Sequence, residues 1–220
     1  TYVRADDRRF YGAASNDATL PLSGSKFVYA HRRNDARLGL NVGLWRSSHV
    51  AARVGVRSVD FDDDIRSGTA ITDVSNTFAP PPSYTDGYTA LRSGASLALD
   101  SRRARPHPGD GVRLTAKASH GIDLRDRDDA PRWLTYGGSL GGYLDLSNLN
   151  HVLGLVAHVE LTEALQGAIP FTELVDIGGS GPLRGFVPGR LYGDSAAAVV
   201  FEYRYPVWIW LDGSFHTALG

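Results

Sequence analysis

The chain has 220 residues and a formal net charge of −1, and 42% of its residues are hydrophobic, but it contains no cysteine. A near-neutral chain lacks the basic surface that nucleic-acid binding requires, and the absence of thiols excludes disulfide frameworks and thiolate zinc sites. The longest apolar runs, such as 196–201, are far shorter than the roughly 20 residues of a membrane-spanning helix. A membrane location would therefore require β-strands.

The hydrophobic pattern has a period of two along most of the chain, which is typical of strands and not of helices. Between Val112 and Ser119, for example, apolar residues alternate strictly with Arg113, Thr115 and Lys117. We therefore predict an all-β chain of about nine strands. The predicted strands are Ser25–Arg32, Ala36–Trp45, Val50–Ser58, Leu91–Asp100, Val112–Ser119, Leu134–Leu146, His151–Leu161, Ala196–Tyr205 and Trp208–Leu219.

The alternation alone does not tell which face of the strands meets water. A soluble lipocalin-like barrel turns its apolar row inward, whereas an outer-membrane barrel turns it outward. The predicted strands run about ten residues, which is the length that crosses a bilayer at a tilt. Their polar row combines glycine with full charges at mid-strand, as expected around a hydrated lumen. These features favour the membrane barrel.

The predicted connections also differ between the two ends of the strands. Outer-membrane barrels have short periplasmic turns and long external loops. One exception is a tight link at Asn34 on the side of the long loops. Short links are predicted near Ser47, Arg105, Asn148 and Pro206, and long polar loops at Asp60–Thr89, Gly121–Arg132 and Thr162–Gly193.

Aromatic residues are concentrated near one end of a predicted strand. Phe201, Tyr203 and Tyr205 occupy its outward row close to Pro206. Aromatic girdles lie at the membrane interfaces of such barrels, so we expect this one at the periplasmic side.

Three blocks of sequence resemble the bacterial surface antigen superfamily, the BamA-like outer-membrane barrels. Asp100-Ser101-Arg102, followed by Pro108-Gly109-Asp110-Gly111, looks like the family's strand-turn-strand signature. Leu183-Arg184-Gly185-Phe186 resembles its Arg-Gly-Phe motif in the sixth external loop, and Phe201-Glu202-Tyr203-Arg204-Tyr205-Pro206 is similar to the strand that follows. The three blocks have the family's order and spacing over residues 90–210.

The resemblance implies an antiparallel transmembrane β-barrel of about sixteen strands in the bacterial outer membrane. We expect residues 1–220 to form part of this single barrel domain, with its upstream domains and last strands outside the sequence. It also implies a protein without catalytic residues or cofactors, which inserts other proteins into the outer membrane or translocates them across it. The implied partners are membrane lipids and lipopolysaccharide, unfolded β-barrel or secreted clients and accessory lipoproteins, with no nucleic acid.

In the family, the loop that carries Arg-Gly-Phe folds into the lumen, where its arginine meets acidic groups of the inner wall. An arginine drawn into a confined lumen needs a carboxylate partner, and Glu202 has inward parity because Phe201 and Tyr203 face outward. We therefore expect a bidentate Arg184–Glu202 pair. Gly185 would permit a tight turn, and Phe186 would wedge the loop against the wall. A second acid that the family usually supplies is replaced by Ala218.

Other functions remain open at this point. Gly137-Gly138-Ser139-Leu140-Gly141 matches the G-x-S-x-G nucleophile elbow, but that elbow requires a helix after the serine, and here the strand pattern continues. No grouping of His, Asp or Glu has the spacing of a metal site. The alternatives are an outer-membrane channel, the barrel tail of a fused enzyme such as a patatin-like esterase, and a soluble lipocalin-like binder.

Overall fold

The computed structural model describes residues 2–9, 27–62, 65, 69–71, 80–102, 109–125, 128–146, 151–179, 181–210 and 213–219. These residues are organised mainly as β-strands, with a 3-10 turn at Phe171–Glu173. The predicted all-β class is confirmed. Among the described residues, no helix is long and apolar enough to span a membrane.

Nine strands form one antiparallel meander, in which each strand pairs with its sequence neighbours. Two-residue strands lie in the connections: β4 pairs in parallel with β2, and β9 pairs with β10. The two edges of the sheet are β1 and β12, and the described chain does not close into a barrel. The strands are β1 (Tyr2–Arg9), β2 (Phe27–Gly43), β3 (His49–Asp62), β4 (Thr69–Ala70), β5 (Tyr88–Asp100), β6 (Gly111–Asp123), β7 (Arg132–Asp145), β8 (Val152–Gln166), β9 (Val175–Asp176), β10 (Tyr192–Gly193), β11 (Ser195–Trp210) and β12 (Gly213–Leu219).

The predicted link at Asn34 is wrong. Strand β2 runs through Asn34 without interruption, and its ladder with β3 continues from Ala30 to Gly43. The Asn-Asp sequence resembles a turn, but the Asp35 carboxylate lies 2.8 Å from the Arg57 guanidinium of β3. This cross-strand ion pair satisfies the carboxylate within the sheet, so the chain has no need to turn there.

The predicted turn at Pro206 is also wrong, because β11 continues to Trp210. Pairing of β11 with β8 ends at Arg204, so Pro206 gives up no hydrogen bond on that side. On its other side the register with β12 shifts between Pro206 and Trp208. A bulge of this kind is one of the few places where a sheet accepts proline. Strand β1 is an additional strand that the hydrophobic pattern did not predict.

The connections at the two ends of the sheet differ in length. At one end, short turns join β2 to β3, β7 to β8 and β11 to β12, and a ten-residue connection joins β5 to β6. At the other end, three of the four connections are long, and the longest joins β8 to β11 through residues 167–194. We call this last segment the long loop. The predicted long loop at Gly121–Arg132 is wrong, because β6 extends to Asp123 and only eight residues separate it from β7. The continuous β2 removes the exception at Asn34.

The two faces of the sheet differ sharply in chemistry. Cross-strand register places the apolar rows of β2, β3, β5, β6, β7, β8 and β11 on a single face, which we call the outer face. Its side chains are exposed, with Leu114 at 40%, Leu155 at 56% and Val199 at 69%. The opposite face, the inner face, carries the charged residues and is partly covered by the connections.

The buried core lies on the inner face, at the end of the long connections. One cluster joins Tyr29 of β2 to Ile71 and Tyr84 from the β3–β5 connection and to Phe171 of the long loop. A second joins Val59, Tyr88, Ala90 and Trp133 from the sheet, with Ile169 of the long loop packed against them. The core therefore forms between the sheet and its own loops and not between two sheets.

Candidate functional site

The long loop crosses the inner face and is anchored far from the strands that it connects. It leaves β8, passes the positions of β7 and β6 in the sheet order, and reaches β5 and β3. There Glu173 accepts hydrogen bonds from the Arg57 guanidinium at 2.8 Å and from the Tyr88 hydroxyl at 2.6 Å. The Arg92 guanidinium lies 3.4 Å from the same carboxylate. We call these four residues the loop anchor.

The loop anchor is enclosed. The side chain of Glu173 is only 3% exposed and that of Arg57 is 14% exposed. A buried carboxylate is costly unless it is paired and hydrogen-bonded, and here two guanidinium groups and a phenol meet that need. Arg57 also bonds Asp35 of β2, so a network of ion pairs joins the loop to three strands.

Apolar contacts and a small hairpin hold the rest of the loop in place. Phe171, two residues before Glu173 in the loop, packs edge to face on Tyr29 with ring centroids 5.3 Å apart. The β9–β10 pair brings Tyr192 beside Tyr29, and burial, together with the negative charge of Asp176, raises the pKa of the Tyr192 phenol. Asp176 in turn accepts backbone hydrogen bonds from Gly178 and Gly189.

The predicted latch residues lie on this loop but do not make the predicted pair. Arg184 is exposed and forms no ion pair with any described residue, while Glu202 pairs with Arg204 of its own strand. Both Arg184 and Glu202 line a cavity of about 1230 Å³ between the loop and the inner face. Arg184 and Glu202 thus line the same cavity without forming the predicted ion pair.

Gly185 and Phe186 do not have the predicted roles in a tight turn and as a wedge. A Cβ at Gly185 would meet nothing within 4 Å, and the positive φ angles of this loop occur at Gly167, Gly179 and Gly189 instead. Phe186 is 44% exposed, so it does not wedge the loop against the wall. The aromatic residue that is buried at this interface is Phe171, at 1% exposure.

The turn signature and the following strand meet at the other end of the inner face. Asp100 accepts two side-chain hydrogen bonds from Arg102, at 2.9 and 2.7 Å, and so orders the β5–β6 connection. Gly111 has a φ of +146°, and a Cβ there would lie 2.8 Å from Cγ of Arg102. Glycine is therefore required at this position. Pro108 of the signature lies outside the described residues.

The Tyr143 ring links this turn to Glu202. The guanidinium of Arg102 lies 4.2 Å from the Tyr143 ring centroid, and that of Arg204 lies 5.8 Å from it. The ring occupies the space above Gly154, which pairs with Glu202 across the β8–β11 ladder. Asp100 and Glu202, about 100 positions apart in the sequence, thus belong to one cluster on the inner face.

The motif that matches a hydrolase elbow lies inside a strand. Ser139 is in the middle of β7, and its hydroxyl lies 2.7 Å from that of Thr115 on β6. The predicted continuation of the strand pattern beyond Ser139 is confirmed. Among the described residues, no group of three His, Asp or Glu side chains is arranged to hold a metal ion.

Sequence reasoning missed Glu173, Arg57, Arg92 and Tyr143. A signal was present, because Arg57 and Arg92 are cations at inward positions near the loop end of their strands and require carboxylate partners. Among the arginines, only Arg184 has a carboxylate partner predicted from the sequence.

Comparison of the chain with protein-family models, with curated proteins and with solved structures finds no match.

Proposed function

We propose that this chain is part of an outer-membrane β-barrel that inserts other proteins into the outer membrane or translocates them across it. The observation that carries the proposal is the outer face. Across seven adjacent strands its central rows contain no charged residue, while the inner rows of the same strands carry arginine, lysine, aspartate and glutamate. An exposed apolar surface of this extent marks a membrane or partner interface.

The height of the apolar rows fits a bilayer. On β2 the uncharged outer row extends from Asn34 to Val42, and on β8 from Leu153 to Leu161. Nine residues of strand span about 27 Å between their end Cα atoms. A strand tilt of about 40° reduces this to about 21 Å along the membrane normal, close to the about 25 Å of outer-membrane barrels.

Aromatic residues flank these rows at the short-turn end. Trp45 is 56% exposed in the β2–β3 turn, and Tyr203 and Tyr205 stack with ring centroids 5.6 Å apart near the end of the β8–β11 ladder. Such residues favour a membrane interface. A lipocalin-like binder would place the apolar row inside, which is the reverse of this arrangement.

The anchored long loop favours an assembly or translocation barrel over an open pore. A segment held by buried ion pairs across the inner face obstructs the lumen, and the sequence blocks that resemble the BamA-like family are the basis for protein insertion as the activity. One observation favours the alternative of a channel: the cavity of about 1230 Å³ beside the loop is lined by Arg113, Lys117, Arg184 and Arg204.

The face assignment and the activity are tested with one pair of variants in the full-length protein. Val199 and Ala198 are consecutive on β11 and have opposite parity. Val199→Arg places a charge among the acyl chains at a cost of about 2 to 4 kcal/mol near the midplane, whereas Ala198→Arg places it in the lumen. We expect Val199→Arg to impair insertion into lipid vesicles and Ala198→Arg to retain it.

The activity itself is read in cells. Depletion of the full-length protein should lower the level of folded β-barrels or secreted clients, and the Ala198→Arg variant should restore it. Equal insertion of both variants would overturn the face assignment. Unchanged client levels after depletion, with normal insertion, would favour the channel or the tail of a fused enzyme.

A further inference from the structure

A second cavity, of about 280 Å³, lies on the inner face over β3 and β5. The side chains of Ser96, Ser119 and Thr135 contribute hydroxyl groups to it. Its charged lining is predominantly basic, with five cationic side chains and two carboxylates. The cationic side chains are Arg37, Arg53, Arg57, Arg92 and Lys117.

The two carboxylates do not neutralise this set. Asp35 is shared among three guanidinium groups, those of Arg33 at 2.9 Å, Arg37 at 3.4 Å and Arg57 at 2.8 Å. The other carboxylate, Glu160, is taken by Lys117 at 2.7 Å. Glu173 of the loop anchor neutralises part of the charge of Arg57 and Arg92, but it does not reach Arg53.

Arg53 is the cation that is left over. Its guanidinium forms no ion pair or hydrogen bond with any residue that the structure describes, although Arg53 lies within β3 and lines the cavity. Its ladder partners are Gly39 on one side and Gly94 on the other. A Cβ at Gly39 would lie 3.2 Å from Cγ of Arg53, so the arginine stem lies across a position without a side chain.

The arrangement of arginine and glycine is reciprocal. Arg37 and Arg92 are both ladder partners of Gly55, in the same way that Arg53 is flanked by Gly39 and Gly94. No two of these three arginines are direct ladder partners, and the stems of Arg53 and Arg37 lie over Gly39 and Gly55, where a larger residue would clash with them. The result is a small basic cavity with hydroxyl groups at its edge. Guanidinium groups bind phosphate oxygens in a bidentate manner, and hydroxyls complete such sites.

We propose that this cavity binds a soluble polyvalent oxyanion of the phosphate class, with Arg53 and Arg37 as its principal ligands. The cavity is below the size of pockets for drug-sized ligands, and it suits a small anion better than a polypeptide. The site goes beyond the proposed function and rests on it only in that the inner face must border a water-filled lumen.

The test is a calorimetric titration of the full-length protein in detergent with tripolyphosphate at fixed ionic strength. We expect Arg53→Gln to weaken binding by about tenfold or more, because a charge-assisted contact is lost. Arg53→Lys should retain part of the affinity. Arg132→Gln, which removes an exposed cation on the outer row, should change it by less than about twofold. Affinity of the unsubstituted protein should fall as salt is added.

The outcomes separate the site from the proposed function. Binding that is absent, or that Arg53→Gln and Arg132→Gln weaken equally, would overturn the site even if the protein inserts normally. Binding of a hexa-aspartate peptide in preference to tripolyphosphate would also overturn it. If tripolyphosphate binding depends on Arg53 but the protein fails to insert into vesicles, the anion site stands and the proposed barrel is refuted.

Discussion

Glu173 in the long loop lies 2.8 Å from Arg57 of β3, a residue 116 positions earlier in the sequence. The contact holds the first part of the long loop over the inner face, above strands that the loop does not connect. Glu173 is buried and Arg57 is mostly buried, so separating them leaves a charge unpaired in a buried place. The position of the loop therefore depends more on this pair than on the exposed residues at its tip.

Glu173→Gln should release the long loop. The substitution keeps the shape of the side chain but removes its charge, and we expect the free energy of unfolding to fall by about 3 kcal/mol. Trypsin should then cleave faster at Arg184 and Arg190, the only basic residues of the loop. The control is Glu163→Gln, because the exposed Glu163 carboxylate accepts a hydrogen bond from Tyr136 on the outer face. Equal trypsin sensitivity of the two variants would contradict the anchor.

The two arginines of the loop anchor should contribute unequally. Arg57 is 14% exposed and lies 2.8 Å from Glu173, whereas Arg92 is 31% exposed and lies 3.4 Å away. A double-mutant cycle should give a coupling energy of about 2 kcal/mol for the Arg57–Glu173 pair and below about 1 kcal/mol for Arg92–Glu173. A larger coupling for Arg92 would mean that Arg57 is held by Asp35 and not by the loop.

Arg184→Ala distinguishes the latch implied by the family resemblance from the loop anchor. In the structure Arg184 is exposed and forms no ion pair with a described residue, so its loss should change the free energy of unfolding by less than about 0.5 kcal/mol. Glu173→Ala should lower it much more. If Arg184→Ala opened the loop to chymotrypsin as strongly as Glu173→Ala, the latch would be Arg184, and its partner would come from another state of the loop.

Gly111 and Gly185 should respond differently to substitution by alanine. Gly111→Ala meets a positive φ of 146° and a Cβ position 2.8 Å from Arg102, and should destabilise the protein by about 1 to 3 kcal/mol. Gly185→Ala meets open space and should be neutral. The midpoint of urea unfolding measures both. A neutral Gly111→Ala would show that the β5–β6 connection rearranges freely around the Asp100–Arg102 pair.

The strands and their faces could be predicted because both follow from local alternation. A period of two assigns every residue of a strand to one face, and antiparallel pairing carries that assignment to the next strand. The parity of Glu202 and the outward rows that contain Leu155 and Val199 were obtained in this way. The same rule did not give the ends of the strands, since Asn34 lies within the β2–β3 ladder and Pro206 lies at a shift in register with β12.

The candidate site was harder to predict from the sequence, because its contacts join segments that are far apart along the chain. Nothing near Glu173 indicates that β3 and β5 supply its partners, and nothing near Gly154 indicates that the Tyr143 ring fills the space above it. Sequence alone would have chosen Gly154 as a harmless inward position for a charge. The structure shows that a Cβ there would lie 3.1 Å from both Tyr143 and Glu202, so Ala198 is the better inward control.

The central claim is that the outer face contacts acyl chains, and single-cysteine scanning of β11 tests it most directly. The chain contains no cysteine, so one fluorophore can be attached in turn at each position from Ala197 to Phe201 in protein reconstituted with brominated lipids. We expect quenching at Ala197, Val199 and Phe201, and little at Ala198 and Val200. Uniform quenching along the strand, or quenching at Ala198 and Val200 alone, would contradict the account.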